Sequence, residues 1–148
     1  MNNTVQSARR GRALTVLFWI VTGLLLVELV YGGYTDVVYT DQVEEVLDRL
    51  GYSHDFSVLL GIAKWLAAVV ILLPRLPRWK EWAYAGVVFI DGGAVYSHIA
   101  AGDGFSLWLP PLLFGLLTLL SWALRPPSRR DPAPLPEVRG VGALFPAR

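Results

Sequence analysis

The chain has 148 residues, of which 54% are hydrophobic and 17% charged, with a formal net charge of +1. A soluble domain carries about 25% charged residues, so this composition excludes an ordinary small soluble fold. With no cysteine, disulfide, thiol and thiolate-metal chemistry within the chain are excluded as well.

Residues 1–12 read as a polar, mobile lead containing Arg9, Arg10 and Arg12. A long apolar run follows, interrupted only by Glu28 and ending in Tyr31-Gly32-Gly33-Tyr34. The aromatics suit a membrane interface, and the glycines would let the chain turn. This run is too long for a signal-peptide core and no small-x-small cleavage site follows it, so it reads as a retained signal-anchor helix. A short amphipathic helix comes next. Val43, Val46, Leu47 and Leu50 recur on one face, with Glu44, Glu45 and Asp48 on the other. Thr40 or Asp41 is placed to cap it, Glu44 stands at capping-box distance from Asp41, and Gly51 is placed to end it. It is expected to lie over the bundle as a lid, the alternative being a simple interfacial linker.

The second apolar run, from Phe56 to Leu73, carries one charge, Lys64, beside Trp65. Pro74 and Pro77 then bracket a basic turn with Arg75, Arg78 and Lys80. The third run, from Trp82 to Ala100, holds Asp91 and His98 among small residues (Ala85, Gly86, Gly92, Gly93, Ala94, Ser97). Small side chains let helix backbones approach closely, which predicts a central position for this helix. The fourth run, Phe105 to Leu124, has no charge. Beyond it, Arg125, Arg129 and Arg130 lead into a Pro-rich segment, and 125–148 reads as a disordered cytoplasmic tail.

Each run has about the 20 residues a helix needs to cross a hydrocarbon layer ~30 Å thick. The expected fold is therefore all-α: a polytopic membrane protein, a four-transmembrane-helix bundle with one short outer amphipathic helix. Its domain covers 13–124, with spans at about 13–34, 56–73, 82–100 and 105–124. Basic residues cluster before the first span, between the second and third, and after the fourth, while the other two connections hold only Arg49. Lys/Arg excess marks cytoplasmic segments, so both termini are expected in the cytoplasm and 35–55 and 101–104 outside. Trp79, Trp82 and Trp122 would then form the inner aromatic belt and Trp108 part of the outer one.

The candidate site follows from the charges inside these runs. An ionisable residue at the centre of a span costs about 2.5–3.5 kcal/mol on insertion scales and by default marks function. At 1.5 Å per residue Glu28 lies roughly 22 Å from the inner end of its span and Asp91 about 14 Å from the inner end of its own. Lys64 lies about 13 Å below the outer surface, and His98 roughly 24 Å up the third span. The expectation is that Lys64 bridges Glu28 and Asp91, with His98 at the outer mouth and Ala94 leaving space beside them. Trp65 and Tyr96 are candidate walls. The competing reading is a charge-neutral network that only holds the helices together. One histidine and two acids spread over several turns lack metal-ligand spacing, so no metal is expected. The chain carries no nucleic-acid motif and no Gly-rich phosphate loop.

Leu50-Gly51-Tyr52, Leu-Leu-Gly-Ile-Ala-Lys at 59–64, and the run from Leu73 through Trp79 and Trp82 to Gly86 resemble the DoxX-like family of small bacterial membrane proteins. So does the stretch from Asp91 through Ser97-His98 to Asp103. Glu28, Lys64, Asp91, Ser97 and His98 match the family's polar positions, and the resemblance spans roughly 13–124. It implies a four-helix protein of the bacterial cytoplasmic (inner) membrane. The family takes its name from a subunit of a thiosulfate:quinone oxidoreductase. The resemblance therefore implies a quinone as the cofactor or ligand and a redox partner subunit in the membrane.

Three functions compete. The leading one is a membrane subunit that binds a small apolar or quinone-like molecule, with the acid–base cluster handling protons. Any enzymatic activity would be that of a quinone-linked oxidoreductase subunit. The second is a structural scaffold or partner subunit in the bilayer. The third is a small proton-coupled transporter working as a homo-oligomer, which needs Glu28 to reach solvent from alternating sides, whereas a quinone site opens toward lipid.

Overall fold

The computed structural model describes residues 2–130, with side chains from residue 11 onward. Among the described residues the fold is all-α. The helices are α1 (Asn2–Val38), α2 (Asp41–Leu50), α3 (His54–Leu72), α4 (Pro77–Ala100) and α5 (Phe105–Leu124), followed by a 3-10 turn at Pro127–Arg129. Within α1 the segment Gly11–Val38, and likewise α3 and α5, are long and apolar enough to cross a membrane. The fourth long helix, α4, carries Arg78, Lys80, Glu81, Asp91 and His98 along its 24 residues.

The long helices form a ring. α1 packs on α3 and α5, and α4 packs on the same two, so α1 and α4 face each other across the middle. One end of the bundle holds α2; the other holds the basic residues of the α3–α4 turn and of 125–130.

Two departures from the sequence reading concern α1. It begins at Asn2 and takes in the expected lead, and it runs to Val38 without turning at Gly32-Gly33. These glycines serve packing instead. A Cβ on Gly61 of α3 would lie 2.5 Å from the Gly33 carbonyl and 2.7 Å from Val37 Cγ2; one on Gly33 would lie 2.6 Å from Trp65 Nε1. Only hydrogen fits at this crossing, which brings the two backbones together and offsets the ~1 kcal/mol that a helical glycine costs.

α2 is set as expected in extent, ending at Gly51 in the left-handed region (φ 80°). Its amide and that of Tyr52 bond back to the Asp48 and Leu47 carbonyls. The N-terminus differs: Thr40 is the capping residue and makes no side-chain cap bond, so the Asp41–Glu44 box does not form. None of its residues is buried.

The apolar core occupies the bundle from the basic end to mid-height: Leu25, Leu29, Ala67, Ala68, Ile71, Tyr84 and Val87. Ser121 Oγ ties three helices there, 2.8 Å from Thr22 Oγ1 and 2.9 Å from Tyr84 OH. Below it, the last carbonyls of α3 need donors because no further helical turn supplies them. Lys80 Nζ donates to the carbonyls of Val70 and Ile71 at 2.6 Å and to that of Leu73. Arg129 adds a bond to Ile71 O at 3.1 Å. Burial, then the neighbouring Arg129 and Arg125, pull the Lys80 pKa down to about 8. Residues 125–130, expected to open a disordered tail, thus pack against the bundle: Arg125 is buried and pairs with Glu81 at 2.6 Å. The rest of that expected tail, 131–148, lies outside the described residues.

Gly61→Ala pushes a methyl into the Gly33 backbone and is expected to destabilise the protein by about 1–3 kcal/mol, the usual cost of overpacking. Gly86→Ala meets nothing within 4 Å and is expected to be neutral or stabilising by up to about 1 kcal/mol. Thermal unfolding of both variants in detergent checks this, and equal stability of the two would remove the close crossing.

Candidate functional site: a cavity with a charged wall

Because α1 continues past the glycines, it carries a second acid into the bundle. Glu28, Gly32 and Asp36 recur every four residues and so share one helix face. Lys64 lies across that face. Its Nζ is 2.9 Å from Asp36 Oδ2 and 3.8 Å from Glu28 Oε1, and all three side chains are largely buried. Gly32 makes the room: a Cβ there would lie 3.1 Å from Lys64 Nζ and 3.2 Å from Glu28 Oε1. Ser57, also on α3, donates to the Asp36 carbonyl at 2.8 Å and braces the same joint.

This arrangement corrects the expected bridge. Lys64 pairs with Glu28 as anticipated, but its closer partner is Asp36 and not Asp91. A first span ending at 34 places Asp36 in a loop, whereas α1 runs on to Val38. The acid–Gly–acid spacing of four was the signal that could have found it. Asp91 stands apart on α4, 5% exposed, and its Oδ2 has no hydrogen-bond partner among the described residues. Gly115 of α5 passes close to it, a Cβ there falling 3.4 Å from Asp91 Cβ.

Above the core, the bundle opens into a cavity of about 990 Å3 that both groups line, Glu28, Asp36 and Lys64 from one side and Asp91 from α4. That volume is at the upper end for small-molecule sites, which run roughly 300–1,000 Å3. Apart from these charges the walls are mainly apolar, with Leu24, Val27, Ile90, Phe114 and Leu117 among them. Tyr31 and Phe89 also line it while 68% and 80% exposed on the outside of the bundle. The cavity therefore reaches the apolar flank of the molecule.

α2 closes one end. Val46, Leu47 and Leu50, the face predicted to be apolar, line the cavity, as the lid expectation requires. Polar hooks hold this helix and its flanks: Tyr39 OH to Asp48 Oδ1 at 3.1 Å, Arg49 Nη2 to Asp103 Oδ2 at 3.4 Å, and Tyr52 OH to Ser97 Oγ at 2.7 Å. His98 is buried, lines the cavity near this end, and meets Asp103 Oδ2 at 2.6 Å through Nδ1. Ser97 and His98 are legible in the sequence but their partners are not: the Tyr52 and Arg49 contacts exist only once α2 has docked, and Asp103 reaches His98 through the turn after α4.

Two expected walls lie elsewhere. Trp65 packs over Gly33 and donates from Nε1 to the Val30 carbonyl at 3.1 Å, outside the cavity. Tyr96 is exposed on the outer face of α4. The rotation of each helix sends these rings away from the charged wall.

A family model, the DoxX-like family, matches residues 20–121. The chain belongs to the DoxX-like family. No curated protein and no solved structure matches it. The matched segment runs from α1 to Ser121 and contains every cavity-lining residue of this DoxX-like protein. With three helices of membrane-crossing length, it is a multi-pass membrane protein.

Removing the one ammonium from this wall leaves two buried carboxyl groups facing each other. Lys64→Met is expected to cost about 3–5 kcal/mol of stability, as for breaking a buried pair by deleting one partner. Adding Glu28→Gln and Asp36→Asn to it is expected to recover most of the loss. Unfolding of the single and triple variants in detergent measures both, and a Lys64→Met protein as stable as wild type would contradict the pairing.

Proposed function

We propose that this DoxX-like protein is a four-span protein of the bacterial cytoplasmic membrane, both termini cytoplasmic, that binds a small lipid-soluble molecule in its cavity. The observation that carries this reading is the cavity itself. It has apolar walls and a polar cluster at one level, and two of its lining side chains also lie on the lipid-facing outside. A molecule dissolved in the bilayer can enter from the side, which is the access a quinone needs and an aqueous substrate does not.

In this reading the apolar body lies against Leu24, Ile90 and Phe114, and the polar end meets the Glu28, Asp36, Lys64 and Asp91 groups. A quinone-like molecule fits the description, with the acids and the ammonium exchanging protons with it. Electrons, if the bound molecule is reduced, come from a partner subunit in the membrane. α4 completes the four spans despite its charges, since Asp91 and His98 turn inward and Arg78, Lys80 and Glu81 precede the crossing.

The second reading, a structural scaffold, draws on the Glu28–Lys64–Asp36 joint, which ties α1 to α3 without any ligand. It leaves the cavity unexplained.

A ligand that binds only the folded form raises the melting point, by about 2.7 kcal/mol of stability at a hundredfold excess over Kd. A short-chain menaquinone or ubiquinone analogue is expected to raise it in a dose-dependent way for the wild-type protein in detergent. Ala94→Trp, which puts a bulky ring into the cavity and leaves the charges in place, is expected to reduce the rise. No rise with any analogue would put the scaffold first.

A further inference from the structure

The two polar walls of the cavity are not equivalent. On the α1–α3 side one ammonium serves two carboxylates, Asp36 at 2.9 Å and Glu28 at 3.8 Å. On the α4 side Asp91 is buried and makes no ion pair among the described residues; its Oδ2, like Glu28 Oε2 and Asp36 Oδ2 opposite, has no hydrogen-bond partner there. The charged or titratable groups that share the cavity with it are Glu28, Tyr31 and Asp36 from α1, Tyr52 from the α2–α3 link, Lys64 from α3, and His98 two turns along α4; Tyr52 and His98 are already bonded, to Ser97 and Asp103. α5 brings Gly115 beside it, and the α5 residues Phe114 and Leu117 and the α2 residues Val46, Leu47 and Leu50 line the same cavity; none of these titrates.

Three carboxyl groups thus share one ammonium. An ionised Asp91 would stand in an apolar wall with an acid across the cavity and no cation of its own, a cost of several kcal/mol. A neutral carboxyl group avoids that cost and leaves an O–H donor in need of an acceptor. Resting on the ligand-binding reading above, we propose that Asp91 presents a carboxyl O–H to the cavity and selects neutral molecules bearing a hydrogen-bond acceptor, a carbonyl in particular, over lipophilic cations. Asp91 is then the specificity-determining residue, and Lys64 with its two acids is the fixed wall opposite.

The test uses the full chain in detergent with two probes of similar size, decyl-ubiquinone and tetraphenylphosphonium, and three proteins: wild type, Asp91→Asn and Asp91→Leu. Melting curves without probe establish that each is folded. Asparagine keeps an N–H donor at the same place, so its affinity for decyl-ubiquinone is expected within about threefold of wild type. Leucine supplies no donor, and the loss is expected to be about tenfold or more. Tetraphenylphosphonium is expected to bind all three weakly. If it binds wild type more tightly than the quinone and Asp91→Asn loses it, Asp91 acts as a carboxylate and the proposal fails. If decyl-ubiquinone binds all three alike, Asp91 has no part in recognition while ligand binding stands. Binding of neither probe to wild type removes the ligand-binding reading and this proposal with it.

Discussion

The close approach of α1 and α3 at Gly33 and Gly61 is the constraint on which the rest of the molecule depends. In hydrocarbon, apolar side chains gain little by leaving lipid for another helix, so association relies on packing and on polar contacts. Two glycines face to face allow both. They bring the backbones within reach, and Gly32 then leaves the one space in which Lys64 can lie between Glu28 and Asp36. A larger residue at 61 would lift α3 away from α1 and with it the ammonium from the acids. The packing and the charge pairing are one joint: the close crossing sets the distance at which the ammonium meets the acids.

That joint also explains why the bundle is solid at one end and hollow at the other. Toward the basic end the helices close on Leu25, Ile71, Tyr84 and Val87, pinned by Ser121. Toward α2 the inward positions of α1 and α3 are taken by charged side chains that form ion pairs, and α4 presents Asp91, Ala94 and His98. Such side chains do not fill an interior as leucine does, so the helices enclose space. α2 covers the end of that space with three apolar side chains and is held by hydrogen bonds and an ion pair, without a single buried residue of its own. An element held in this way separates from the bundle at lower cost than a packed helix, which suits the cover of a binding cavity.

Much of this was legible before any coordinates. Run length and charge placement located the long helices, and the spacing of Val43, Val46, Leu47 and Leu50 located α2 and the face it turns inward. Depth alone put Glu28, Lys64 and Asp91 at overlapping levels and left open which acid Lys64 pairs with. What depth could not supply was rotation. At about 100° per residue, whether a side chain looks at a neighbour or at lipid depends on the crossing of two particular helices, and this placed Asp91 away from Lys64 and turned Trp65 and Tyr96 outward. Asp36 was hidden for a different reason. Gly32-Gly33 has two meanings, a turn or a close crossing, and only the glycine on the other helix, Gly61, decides between them.

The charged residues divide by what they cost. Glu28, Lys64 and Asp36 compensate one another and hold two helices together, so a scaffold would have reason to keep them. Asp91 holds nothing: it makes no ion pair among the described residues, and a buried polar group without a partner lowers stability. Gly115 lies beside it, where a Cβ would come into ordinary contact with Asp91 Cβ at 3.4 Å. A protein selected only for a sturdy bundle would place leucine at 91 and alanine at 115 and be firmer for it. In the ligand-binding reading proposed above, an acid without an ion-pair partner at the cavity wall has a physical rationale, because what enters the cavity meets it.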